Sequence, residues 1–185
     1  MSIVESFRKA ITFFEELQRE GLIIDYALIG GLALSAWVKP RTTKDVDLFV
    51  AVSKQITWKD LASLIETRLH KKVLLQMGSK RTTIQEKLSF MIGPIEVDAI
   101  STKDFKLALE AIESAVSAEI FDKRVKVVTP EYLILLKLIP LSPQDKIDIR
   151  ALMKKADIKI LKMLAEKHSL LHKFDSMLTK GKFVR

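Results

Sequence analysis

The chain has 185 residues, of which 48% are hydrophobic and 29% charged, a balance that suits one folded domain with a real core and argues against disorder. It contains no cysteine, which excludes disulfides, thiolate catalysis and cysteine-type zinc sites. The net charge of +8 suits acidic partners such as nucleic acid and nucleotides, and serves plain solubility equally well. Basic residues gather at Lys39 to Lys44, Lys71 to Arg81, Lys123 to Lys126 and Lys154 to Arg185. No apolar run approaches the about 18 residues that cross a bilayer. Glu5, Glu15 and Glu16 interrupt the N-terminal segment, so it is not a signal peptide. A cytoplasmic protein without membrane contact is expected.

In chain order, residues 2 to 20 predict a helix, with Ile3, Phe7, Ala10, Ile11, Phe14 and Leu17 on one face. Ser2 and Glu5 suit a capping box and Gly21 a stop. "IIDYALIG" predicts a strand ending at glycine, "LALSAWV" a short helix, and "DVDLFVAV" a second strand. "TWKDLASLIETRLHK" is an amphipathic helix capped by Thr57, and "KVLLQM" a strand. "IQEKLSFMI" and "IEVDAI" are strands joined at Gly93-Pro94. "TKDFKLALEAIESA" is a helix, and "AEIFDKRVKVV" a hairpin turning at Asp122-Lys123-Arg124. "TPEYLILLKLI" is a helix with Thr129 as N-cap and Pro130 first. From "PQDKIDIRALMKKA" onward the chain is helical and basic. This predicts a mixed α and β core over residues 1–130 and a helical region over 131–185 packed on it.

Three acidic positions stand out. Residues i and i+2 of a strand share a face, so Asp45 and Asp47 project together while Val46, Leu48 and Val50 enter the core. Two carboxylates about 7 Å apart on one strand face repel each other and need compensation, from water at a strand end or from a divalent cation with a taste for hard oxygen ligands. Asp98, in "IEVDAI", is a third acid inside an apolar run, either a strand-end residue or a site residue. Two acids from one strand and a third from a neighbour can hold two Mg²⁺ ions, which activate an attacking hydroxyl and stabilise a leaving pyrophosphate. Gly30 and Gly31, between a strand and a short helix, would let a triphosphate approach the backbone and a helix N-terminus. Arg41 and Lys44 either neutralise incoming phosphates or are ordinary exposed loop charges. Glu96 shares the face of Asp98 but reads as solvent-exposed. His168 and His172 are four apart on an expected helix, where a solvated face is the simpler reading than a metal site. Trp37, inside the spacer between the glycines and the aspartates, is a candidate for shaping the pocket.

The combination "LIGGLALSAWVKPRTTKDVDLFV" with "IEVDAI" resembles the nucleotidyltransferase superfamily of the DNA polymerase beta type. Within it, the wording "RTTKDVDLFV", the late "TPEYLILLKLI" helix and "QDKIDIRAL" are similar to the minimal branch that includes AbiEii-type toxins. The resemblance covers roughly residues 22 to 152 and implies an α+β fold, a mixed sheet flanked by helices with a helical C-terminal part. It implies Gly30 and Gly31 at the triphosphate, Asp45 and Asp47 on both metals, and Asp98 completing the second metal site. It also implies Lys137 near the nucleotide phosphates, and Asp145 and Asp148 near the acceptor or base. Gly31 departs from the serine of many members, and "PLSPQ" before Asp145 from their basic residue.

The activity so implied is Mg²⁺-dependent transfer of a nucleoside monophosphate from an NTP to a hydroxyl, on an RNA 3′ end such as that of tRNA or on a protein, in a toxin with an antitoxin protein as partner. The basic charge favours RNA and disfavours a cationic small molecule. The competing reading is a non-catalytic nucleotide-binding or regulatory interaction protein on the same fold.

Overall fold

Helix α1 (Ile3–Arg19) begins with the cap that its first residues encode. The Ser2 hydroxyl accepts the Glu5 N–H at 3.2 Å, and the Glu5 carboxylate accepts the Ser2 N–H at 2.6 Å. The helix ends because Gly21 adopts φ 72°, which returns the Leu22 N–H to the Leu17 carbonyl at 3.0 Å. Its apolar face, Phe7, Ala10, Ile11, Phe14 and Leu17, is wholly buried.

The protein is seen in a computed structural model that describes residues 1–39, 43, 45–78 and 85–180. After α1 come β1 (Ile23–Ile29), α2 (Gly30–Ser35), β2 (Asp45–Val52), α3 (Trp58–Leu69), β3 (Val73–Gln76), β4 (Lys87–Ile92) and β5 (Ile95–Ser101). Then follow α4 (Lys106–Glu113), β6 (Val116–Ile120), β7 (Lys123–Val127), α5 (Pro130–Leu138), α6 (Pro143–Leu152), α7 (Ile158–Lys167) and α8 (Leu171–Lys180). They divide into two compact units, Met1–Ala36 with Pro40–Val128, and Trp37–Lys39 with Thr129–Arg185.

The first unit is built on a seven-stranded sheet in the order β3-β4-β5-β2-β1-β7-β6. β2 runs parallel to β5 and β1 parallel to β7, while the other neighbours are antiparallel. One face carries Tyr26, Leu28, Val46, Leu48, Val50, Val97, Ala99 and Phe90, all buried, and meets α1. Phe14 of α1 stacks on Tyr26 with ring centres 5.9 Å apart. The other face meets α2 and α4 along β1 and β2, where Phe49 packs edge-on against Phe105 at 6.0 Å. Beyond that packing the face continues as Asp47 and Asp45, and there the alternation turns from apolar to acidic.

Local geometry shifts several expected boundaries. α2 opens at Gly30 itself rather than after the glycines. α4 starts at Lys106, not near Thr102, because the Thr102 N–H still bonds Val50 as the sheet does, and Asp104 then turns through φ 57°. The β6–β7 hairpin turns at Phe121-Asp122 instead of 122–124. Both residues take positive φ, 51° and 56°, the requirement of a two-residue type I′ turn.

The second unit holds helices α5 to α8, with α5 against α6 and α7, and α7 against α8. Pro130 takes the first position of α5, though Thr129 makes no side-chain cap bond. Ser142 and Asp145 form a capping box on α6, and Asp157 caps α7 through the Lys159 and Ile160 N–H groups. No helix among the described residues is long and apolar enough to cross a membrane.

Because Phe14 is fully buried between α1 and the sheet, Phe14→Ala should leave a cavity and lower unfolding free energy by about 3–5 kcal/mol. Urea unfolding followed by circular dichroism measures it, and a loss under about 1 kcal/mol would show that α1 is not a core element.

Candidate active site

The register of the sheet sets the site. Asp47 on β2 lies directly opposite Asp98 on β5, and Asp45 directly opposite Glu96. Neighbouring strands are about 4.8 Å apart, so the four acids form a rectangle of about 4.8 by 7 Å on one face, at the amino-terminal part of two parallel strands. On the far side of β5, Ser89 of β4 lies opposite Asp98. One row therefore crosses the sheet as Ile29, Asp47, Asp98, Ser89 and Leu74. Asp45 and Glu96 are exposed, and Asp47 and Asp98 half-buried.

Gly30 is demanded by a side chain of this site, and Gly31 faces a tight but yielding neighbour. Gly30 takes φ 67°, and a Cβ there would fall 1.9 Å from Asp47 Oδ2. Gly31 has ordinary φ, but a Cβ there would meet Thr43 Oγ1 at 3.0 Å. Thr43 also accepts a long bond, 3.4 Å, from the Asp45 N–H. Helix α2 has no side-chain N-cap and only six residues. Arg41 and Lys44, the expected phosphate neighbours, lie outside the described residues.

Asp98 is engaged at both oxygens. The Ser89 hydroxyl donates to Oδ1, and Lys87 Nζ stands 2.9 Å from Oδ2. Sequence reading passed over Lys87 and Ser89. Alternation within "KLSFMI" put them on one face of a strand, yet only the pairing of β4 with β5 says that this face carries Asp98.

Lys137, Asp145 and Asp148 come together in the second unit. Lys137 Nζ lies 2.7 Å from Asp148 and 3.3 Å from Asp145, and its side chain is 11% exposed against 2% for Asp148. Gln144 donates to the other Asp148 oxygen at 2.9 Å. Burial alone would raise the Asp145 carboxyl. Hydrogen bonds from the Ser142 hydroxyl and N–H, with Lys137 beside them, outweigh it and hold the group below the usual carboxylate range. His168 and His172 do not share a helix, since α7 ends at Lys167 and Ser169 turns through φ 58°. Trp37 groups with the helical unit.

A strand, a glycine pair pressed by an aspartate, and a third acid in register on the neighbouring strand point to phosphate transfer chemistry, and comparison with known proteins agrees. The family described as nucleotidyl transferase AbiEii toxin, type IV toxin–antitoxin system, matches residues 12–177. The chain belongs to the AbiEii nucleotidyltransferase family. The resemblance carried by its motifs is thus shown, and the protein is a nucleotidyltransferase. No curated protein sequence matches it. Among solved structures it is similar to an antigenic nucleotidyltransferase-like protein from Paracoccidioides brasiliensis, with TM-score 0.59, 18% identity, and coverage of 95% of this chain and 93% of that one. It is also similar to the antibiotic-resistance factor ANT(2'')-Ia, with TM-score 0.53, 16% identity, and coverage of 94% and 95%. At such identities the likeness is one of fold, and it agrees with the α+β architecture.

Among the described residues, no group of three or more His, Cys, Asp or Glu is drawn together tightly enough to hold a metal ion. Asp98 is turned to Ser89 and Lys87 instead. The donor set nevertheless fits a divalent cation in kind, with hard carboxylate oxygens from two adjacent strands on one face and a backbone held clear at Gly30. A cavity of about 730 Å³ lies elsewhere in the AbiEii-family chain. Val52, Lys54, Trp58 and Lys103 line it, at the opposite ends of β2 and β5. The chemistry of the aspartates locates the site better than that volume does.

Gly30→Ala should be strained twice, by positive φ and by collision with Asp47, and should lower stability by about 1–3 kcal/mol. Gly21→Ala, with the same sign of φ and open space around it, should suffer the backbone strain alone. Equal losses in the two variants by thermal melting would sink the argument for the Asp47 contact.

Asp145 has a folded pKa below its unfolded value of about 3.9, so its contribution to stability is present above that value and is lost as pH falls through the lower folded value. Melting temperatures measured downward from about pH 5 should therefore fall more steeply for wild type than for Asp145→Asn. Parallel profiles would refute the assignment.

Proposed function

We propose that the protein transfers a nucleoside monophosphate from an NTP to the 3′ hydroxyl of an RNA such as tRNA, with Asp45, Asp47 and Asp98 holding Mg²⁺. The observation that carries this reading is the register of Asp47 with Asp98 beside Gly30. In it, Asp45 and Asp47 present carboxylates from one strand and Asp98 a third from the next. When bound, Mg²⁺ polarises the α-phosphate and stabilises the leaving pyrophosphate. Gly30 and Gly31 keep side-chain bulk away from the triphosphate, and Arg41 and Lys44 supply positive charge to it. Asp98 accepts the proton of the acceptor hydroxyl, through water or directly.

The RNA acceptor is supported by the net charge of +8, since phosphate contacts by lysine and arginine dominate such binding and make it salt-sensitive. A toxin role with an antitoxin protein as partner is supported by the description of the family. Lys137, Asp145 and Asp148 are assigned to architecture here. The ammonium is already met by two carboxylates inside its own unit, and Asp145 also caps α6.

The test is incubation with Mg²⁺, each α-³²P-labelled NTP in turn, and total RNA. Label should appear on RNA and should fall at least about a hundredfold with Asp47→Asn. Label on protein alone would reassign the acceptor, and undiminished label with Asp47→Asn would remove the aspartates from the mechanism.

A further inference from the structure

We infer that Lys87 is a built-in counter-ion of the metal position: it holds Asp98 while no nucleotide is bound and weakens the site for a free divalent cation, which then enters with the nucleotide. This rests on the aspartates being metal ligands, as proposed above. Lys87 lies opposite Ile100 and Ser89 opposite Asp98, so the two β4 side chains share the face of the acids. The ammonium reaches diagonally to Asp98 Oδ2 at 2.9 Å, while the Ser89 hydroxyl takes Oδ1. Both oxygens thus have partners before any cation arrives.

A lysine stem is long enough to carry its charge out to water. Here the side chain is only 32% exposed and Asp98 18%, so the pair is shielded from bulk solvent on several sides. A divalent ion placed at Asp98 would sit a few ångströms from the ammonium, where like charges at reduced dielectric repel strongly. The phosphates of a bound nucleotide offset that repulsion by adding negative charge next to both cations. The expected result is ordered loading, in which metal alone binds poorly and the metal–nucleotide complex binds well. Lys87 is a positioning residue in this account, because it acts on the site through Asp98.

The opposite outcome is physically defined. If Lys87 chiefly orients Asp98, its removal leaves a half-buried carboxylate without its counter-ion, and metal binding weakens.

The experiment titrates the full chain with Mn²⁺, following the free-ion electron paramagnetic resonance signal, without nucleotide and then with a non-transferable α,β-methylene NTP. Lys87→Met should bind Mn²⁺ about tenfold more tightly than wild type without nucleotide. Lys87→Arg, which keeps the charge, should stay near wild type. The gap between Lys87→Met and wild type should narrow once the analogue is present. Equal or weaker Mn²⁺ binding by Lys87→Met overturns the inference while leaving the metal reading in place. No Mn²⁺ binding by wild type, Lys87→Met or either with the analogue overturns the metal reading and this inference with it. Circular dichroism melting checks the fold of each variant. Should Lys87→Met melt early, Lys87→Gln replaces it under the same two outcomes.

Discussion

Asp47 can face its neighbours only because Gly30 has no side chain. The carboxylate occupies the space in which a Cβ would begin, and the backbone at Gly30 takes a conformation that other residues resist. From that contact the rest of the site follows. β1 must end at Ile29 because the next residue turns away, and α2 must open without a spacer. β2 is brought in register against β1, Ile29 opposite Asp47, close enough for the carboxylate to lie over the turn. A side chain at 30 would displace the Asp47 carboxylate from its place over the turn. The glycine is therefore part of how the acids are aligned.

The same face serves as core and as site within one strand. Phe49 packs against Phe105, and the next two positions on that face are Asp47 and Asp45. The change from apolar to acidic falls at the amino-terminal end of β2. Burying two adjacent carboxylates under a helix would be costly without compensation, whereas at an uncovered strand end water or a cation can solvate them.

Much of this was legible beforehand because it depends on local rules. The capping box at Ser2, the cap at Thr57, the stop at Gly21, and the common face of Asp45 and Asp47 follow from spacing alone. The alternation of "IEVDAI" likewise placed Glu96 and Asp98 on one face. What spacing could not supply was pairing between distant strands. Asp98 meets Asp47 on one side and Ser89 on the other because β5 lies between β2 and β4, an order that no single strand encodes. For the same reason Lys87 looked like an ordinary strand lysine. The α4 and hairpin boundaries moved because Asp104, Phe121 and Asp122 take positive φ, a conformation not expected of Phe from its type.

The Lys137–Asp148 and Lys87–Asp98 pairs differ in how far they are buried. Lys137 is 11% exposed and Asp148 2%, and Gln144 takes the remaining Asp148 oxygen. A charge so enclosed exchanges partners only at a large desolvation cost, which suits a cluster that fixes the seating of α5 on α6. Lys87 and Asp98 are 32% and 18% exposed, with water at hand to take over either charge. Their separation costs less, and under the proposed function each end has another partner of opposite sign to meet, the nucleotide phosphates for the lysine and a cation for the aspartate. Under the proposed function, one kind of ion pair serves as a fastening in the helical unit and as a replaceable contact on the sheet, and the difference lies in how much water reaches it.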